Sequence, residues 1–169
     1  MASANTTFAG VEFTPQNEPL ERAITVCDLV NMPAKWNGVR VRVTAVATYE
    51  FENFSLSDEA CPEAAVWLTY GGRVSSGAVY CCPGEGGADT RPEPLVVDGT
   101  PVDIVDDSVF RQLRLLFRKQ ERTVVRATVL GTFFAGVQDR TAGTWGGFGH
   151  FGCCSLFVIQ RVERFEEIG

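Results

Sequence analysis

The stretch from Trp36 to Glu50, WNGVRVRVTAVATYE, decides the fold. After the Asn37-Gly38 turn, Val39, Val41, Val43, Ala45, Ala47 and Tyr49 fall on one parity. Arg40, Arg42, Thr44, Thr48 and Glu50 fall on the other, with Val46 as its one apolar member. Successive side chains of a strand point to opposite faces. The pattern therefore reads as a long strand with an apolar face inward and a basic-to-polar face outward. A strand of roughly twelve residues is long for a globular protein. Strands of that length curve and pair with different neighbours along their course, as the first strand of a small closed barrel does.

Upstream, TVCDLVNMPAKW places Val26, Leu29 and Val30 at helical spacing with Thr25 as N-cap, and Pro33 opens a second short helical turn. This helix is expected to close one end of a barrel. Residues 1–22 show no period and hold Pro15 and Pro19. They read as an extended lead-in in which Val11 and Phe13 pair along an edge.

Downstream, Phe51 and Phe54 begin a second strand or a wide loop, and AVWLTY from Ala65 to Tyr70 is a third strand. Residues 71–106 form a long irregular excursion. At most it holds short hairpins, one around Val74 to Cys82 and one around Leu95 to Val97. DDSVFRQLRLLFRKQ is the clearest helix, capped by Asp107 or Ser108. Its stripe is Val109, Leu113, Leu116 and Phe117, with Phe110 flanking. Glu121 to Phe134 is a long strand with a bulge or bend expected at Gly131. A glycine-aromatic loop over 135–154 leads to the last strand, Ser155 to Phe165.

Five strands with a capping N-terminal helix and a helix between strands 3 and 4 are the order of an OB-like Greek-key barrel, a mainly β architecture. A β-sandwich is the alternative. The division is an extended lead-in at 1–22, one domain over 23–165 and a charged tail at 166–169.

The chain has 169 residues, enough for one domain with a full core. Its 15 Lys and Arg against 21 Asp and Glu leave a net charge of −6. Phosphate contacts need a basic surface, so general nucleic-acid binding is not expected. No run approaches the roughly 18–20 apolar residues of a membrane span. MASANTTFAGVEFTP shows no basic n-region followed by an apolar h-region.

The residues CDLVNMPAKWNGVRVRVTAVATYEFENFSLSDEAC (27–61), followed by AVWLTY, resemble an OB-like domain of uncharacterised bacterial proteins often predicted to be exported. The closing GFGHFGCCSLFVIQRVE (147–163) resembles the end of the same group. NGVRVRVTAVA bears a distant likeness to OB domains of the tRNA-anticodon type. The resemblance implies a fold, and no function travels with it. It also implies a cell-envelope or exported location with the leader removed, the cytoplasm being the alternative. The doubled Cys pairs depart from the group's pattern.

The six cysteines are Cys27, Cys61, Cys81, Cys82, Cys153 and Cys154. One reading makes them small buried residues of a reducing compartment, and the other gives at least one disulfide in an oxidising one. The expected disulfide joins Cys27 on the capping helix to Cys61 before the third strand. Zinc takes four Cys or His ligands, and Cys81, Cys82, His150 and Cys153 are the weak alternative set. The C-x₂₋₄-C spacing is missing, so the main expectation is no metal and no cofactor.

Arg40, Arg42 and Arg126 lie on strands, and Trp67 and Tyr70 lie near the face where OB domains hold ligands. Aromatics beside arginines hold single strands or sugars. These five are the candidate ligand-binding residues. His150, the one histidine, has no nucleophile motif around it. The function expected is a non-catalytic binding or structural module with a protein or small-ligand partner. The alternatives are an OB-type binder of single-stranded nucleic acid or oligosaccharide, and a Cys/His metal-dependent or thiol enzyme.

Overall fold

The computed structural model describes residues 23–77, 89–136, 146–149 and 152–169. The lead-in with Val11 and Phe13, the Cys81–Cys82 pair, His150 and most of the glycine-aromatic loop lie outside these.

The alternation read in the sequence sets the frame. Strand β1 (Arg40–Glu50) buries Val41, Val43, Ala45 and Ala47 and turns its arginines outward. It pairs antiparallel over its whole length with β6 (Arg122–Phe134), and from Val46 onward also with β2 (Asn53–Ser57). Strand β2 pairs with β3 (Ala65–Tyr70), β3 runs parallel to β7 (Leu156–Glu167), and β7 pairs back onto β6. The order β1-β2-β3-β7-β6 closes on itself. The protein is mainly β: the described residues form a five-stranded sheet in a ring, with three helices.

Helix α1 (Val26–Asn31) starts with a capping box between Thr25 and Asp28, and α2 (Pro33–Trp36) has its proline in the first turn. Val26, Leu29 and Trp36 join the interior core from these helices. Helix α3 (Ser108–Lys119) is capped by Asp107, whose carboxylate accepts from the Phe110 N–H. Phe110, Leu113 and Phe117 are its buried residues, so Phe110 sits at the centre of the stripe and not on its flank. Tyr49, Phe54, Tyr70, Phe110 and Phe117 pack ring to ring with centroids 5.1 to 5.5 Å apart.

The expected irregularity near Gly131 is present, but its extra residues are on the partner strand. Gly131 opposes Ile159, Leu130 opposes Arg161, Val129 opposes Val162, and Thr128 opposes Arg164. Gln160 and Glu163 are left unopposed on β7, as bulge residues are. Gly131 itself stays in step with Val41 of β1. A Cβ there would lie 2.2 Å from the Val158 carbonyl oxygen and 2.5 Å from the Phe157 ring, so only glycine fits.

One further sequence reading needs correction. The tail at 166–169 belongs to the sheet: Glu166 and Glu167 pair with Arg126 and Val125, and the Val124 N–H donates to the Gly169 carbonyl. Val74 makes an isolated antiparallel bridge to Thr90, and the rest of the hairpin expected around Val74 to Cys82 lies outside the described residues. The second small hairpin is β4 (Val96–Val97) with β5 (Thr100–Pro101), turned by Asp98 and Gly99, both at positive φ.

That hairpin belongs to a second core on the outer face of β3 and β7. Trp67, Leu156, Val158 and Phe134 point out of the ring and are covered by Leu95, Val97 and Val102. Strand β3 is therefore buried on both sides. Arg91, itself buried, ties this cover to the strand end. Its guanidinium donates to the carbonyls of Tyr70, Gly72 and Val74 and to the Thr69 hydroxyl.

Candidate functional site

The five expected ligand-binding residues do not form one site. Trp67 is only 7% exposed, and a Cβ at Gly149 would fall 2.0 Å from its Nε1. Its ring is roofed by protein backbone and offers no stacking surface. Tyr70 points the other way, into the ring interior against Phe54 and Phe110. Burial pushes its phenol far above the ordinary value, with Arg114 opposing. The two burials have separate causes: Leu95, Val97, Val102 and Gly149 cover Trp67 on the outer face, while the alternation of β3 turns Tyr70 into the ring.

The arginines stay on the outer face, where Arg42 and Arg126 meet carboxylates. Arg42 is held by Glu163 through Nε and a terminal nitrogen at 2.9 to 3.0 Å, which raises its pKa further. Arg126 stands 3.8 Å from Glu59 and 3.7 Å from Glu166. Arg164 donates to Thr128, whose hydroxyl also meets that of Thr44. Arg40 opens β1 opposite Thr132. Two of the three expected arginines, Arg42 and Arg126, therefore stand against carboxylates instead of lining a free basic groove.

The cysteines behave differently. Cys27 of α1 is bonded to Cys61, with Cα atoms 5.8 Å apart, within the span a disulfide needs. Cys153 is bonded to Cys154. A sulfur in a disulfide is not a thiolate, so Cys153 leaves the weak metal set. Among the described residues no three His, Cys, Asp or Glu side chains cluster to hold a metal. Nor is any described helix long and apolar enough to cross a membrane.

Beside the Cys153–Cys154 disulfide lies a cleft of 520 Å³. Helices α1 and α2 supply Val30 and Pro33, the turn before β3 supplies Glu63 and Ala64, and the entry to β7 supplies Cys153 and Cys154. The volume falls in the range of small-ligand sites. Its floor is set by close backbone approach: Gly136 donates its N–H to the Ser155 hydroxyl, and a Cβ there would lie 2.4 Å from the Cys154 carbonyl oxygen. Its lining is mixed: Val30, Pro33, Ala64 and Ala65 are apolar, and the exposed Glu63 carboxylate and Ser155 are polar.

Sequence reasoning missed this cleft because it is assembled from segments far apart in the chain. It also missed Arg91, which stands in a Pro-rich turn with no periodic neighbours. The Cys pair at 153–154 was the one available signal. No protein-family model, curated protein or solved structure matches this chain.

Proposed function

We propose that this protein is a non-catalytic binding module built on an OB-fold and working in an oxidising compartment, with its ligand seated in the cleft beside Cys153 and Cys154. The observation that carries the reading is the convergence of three separate segments on one open cleft, fastened by a disulfide between two of them. The closed strand order, the parallel β3–β7 pair and the helix between the third and fourth strands of the ring support the OB topology. Two disulfides among the described residues support an oxidising compartment.

The lining favours a ligand with an apolar body and a cationic group. Val30, Pro33 and Ala64 offer the apolar wall, Glu63 the charge, and the chain as a whole carries −6. A nucleic-acid or sugar reading is weaker because Trp67 and Tyr70 are buried and Arg42 and Arg126 already face carboxylates. The test is calorimetric titration with acetyl-Leu-Lys-Leu-amide. Binding that Ala64→Trp abolishes and Arg126→Glu leaves intact supports the proposal. Binding of an oligothymidylate instead, weakened by Arg126→Glu, contradicts it.

A further inference from the structure

The two disulfides differ in what they can do for the fold. Cys27–Cys61 joins residues 34 apart in sequence and clamps α1 to the turn before β3. Such a cross-link restricts the unfolded chain, and more so for a longer loop. Cys153–Cys154 joins sequence neighbours and restricts the unfolded chain hardly at all. It is not a staple, and both of its residues line an open cleft.

The backbone around this pair is closely fitted. Phe148 and Cys154 exchange both backbone hydrogen bonds, at 2.7 and 3.1 Å. A Cβ at Gly147 would lie 2.8 Å from the Cys154 carbonyl oxygen, and Gly149, next to Phe148, sits on the Trp67 indole. A disulfide between sequence neighbours closes the smallest ring that a disulfide can make within a chain. The ring restricts the peptide unit between the sulfurs to far fewer conformations than the reduced chain allows. Breaking the bond frees that unit at the centre of this packing.

The geometry points to Cys153–Cys154 as a reducible two-electron site, reached by a dithiol through the cleft, whose reduction releases the Phe148–Cys154 pairing beside Trp67. One thiolate of the dithiol attacks either sulfur, forms a mixed disulfide and expels the other sulfur as a thiolate, which takes up a proton. The second thiolate of the dithiol then displaces the remaining cysteine. Two cysteine thiols result, and the dithiol leaves as its own disulfide, so atoms and electrons balance. The site stands whether or not the cleft also holds the ligand proposed above.

The experiment is redox titration of the full chain in dithiothreitol buffers, with light and heavy iodoacetamide labelling and peptide mapping. Hydrogen exchange is followed on the same samples. The expected result is Cys153 and Cys154 labelling together at a reduced-to-oxidised ratio about tenfold lower than Cys27 and Cys61 need. Amide exchange at Phe148 and Cys154 accelerates in that interval. A reduced thioredoxin is run beside dithiothreitol: faster labelling with thioredoxin assigns a protein-borne dithiol, equal or slower labelling a small one. A map linking Cys153 or Cys154 to Cys81 or Cys82 overturns the proposal. So does co-reduction of both described disulfides, or exchange that ignores the state of the pair. Because the wild-type chain carries these readouts, a Cys153→Ser/Cys154→Ser variant that fails to fold does not blunt the test.

Discussion

Glu163 of β7 grips the guanidinium of Arg42 of β1 with both carboxylate oxygens, at 2.9 and 3.0 Å from Nε, across the intervening strand β6. The reach exists because Glu163 is an unopposed bulge residue, displaced from the ladder between Val162 and Arg164. The pair fastens three strands where the ring changes register. Glu163→Gln should lower the thermal midpoint by a few degrees at low ionic strength. Arg42→Lys, which loses the planar fork, should do the same. Their double-mutant coupling should shrink in about 1 M salt, where the screening length is about 3 Å. A coupling that salt does not change would mean the pair acts through packing alone.

The Cys27–Cys61 disulfide is the covalent fastening of the cap. For a sequence separation of 34, the chain-entropy relation puts its contribution at about 4 kcal/mol. Cys27→Ser/Cys61→Ser should lose that much in urea unfolding, and reducing the wild-type protein should reproduce the loss. The variant should keep its far-ultraviolet spectrum, since Val26 and Leu29 still anchor α1 in the core.

Arg91 fixes the excursion to the end of β3 by donating to three carbonyls and one hydroxyl. Truncation leaves buried acceptors unpaired, so Arg91→Leu should cost about 3 kcal/mol. It should also expose Trp67 to acrylamide quenching, because the cover over that ring loses its anchor. Unchanged quenching would place the anchoring elsewhere.

Stability should fall in alkali. Burial raises the phenol of Tyr70, and it also raises that of Tyr49 against the opposing charge of Arg118. The folded state then holds protons that the unfolded chain releases near pH 10, so stability is full below that value and declines as pH rises through it. Tyr70→Phe should flatten the decline, as read by unfolding free energy against pH. An equally steep decline in Tyr70→Phe would assign the effect to other groups.

Much of the fold was legible because its signals are local and periodic. The alternation along Val39–Tyr49, the Thr25 and Asp107 caps and the proline opening α2 are each fixed by a few adjacent side chains. The candidate site was not legible. Trp67 reads the same whether its outer neighbour is solvent or Gly149, and nothing near Arg91 in sequence names the carbonyls it meets. Cys27 and Cys61 were read as partners because a cap and the turn beside it must be close in space. The Cys153–Cys154 bond and the cleft beside it arise from contacts among distant segments, which no window of sequence contains.

The most direct test of the central claim is amide chemical-shift mapping on uniformly ¹⁵N-labelled oxidised protein, titrated with acetyl-Leu-Lys-Leu-amide and, separately, with an oligothymidylate. Peptide-induced shifts are expected at Val30, Glu63, Ala64, Cys154 and Ser155, with the outer arginine strands silent to both probes. Shifts centred on Arg42, Thr44, Arg126 and Thr128 with the oligonucleotide, and none around the cleft with the peptide, would contradict it.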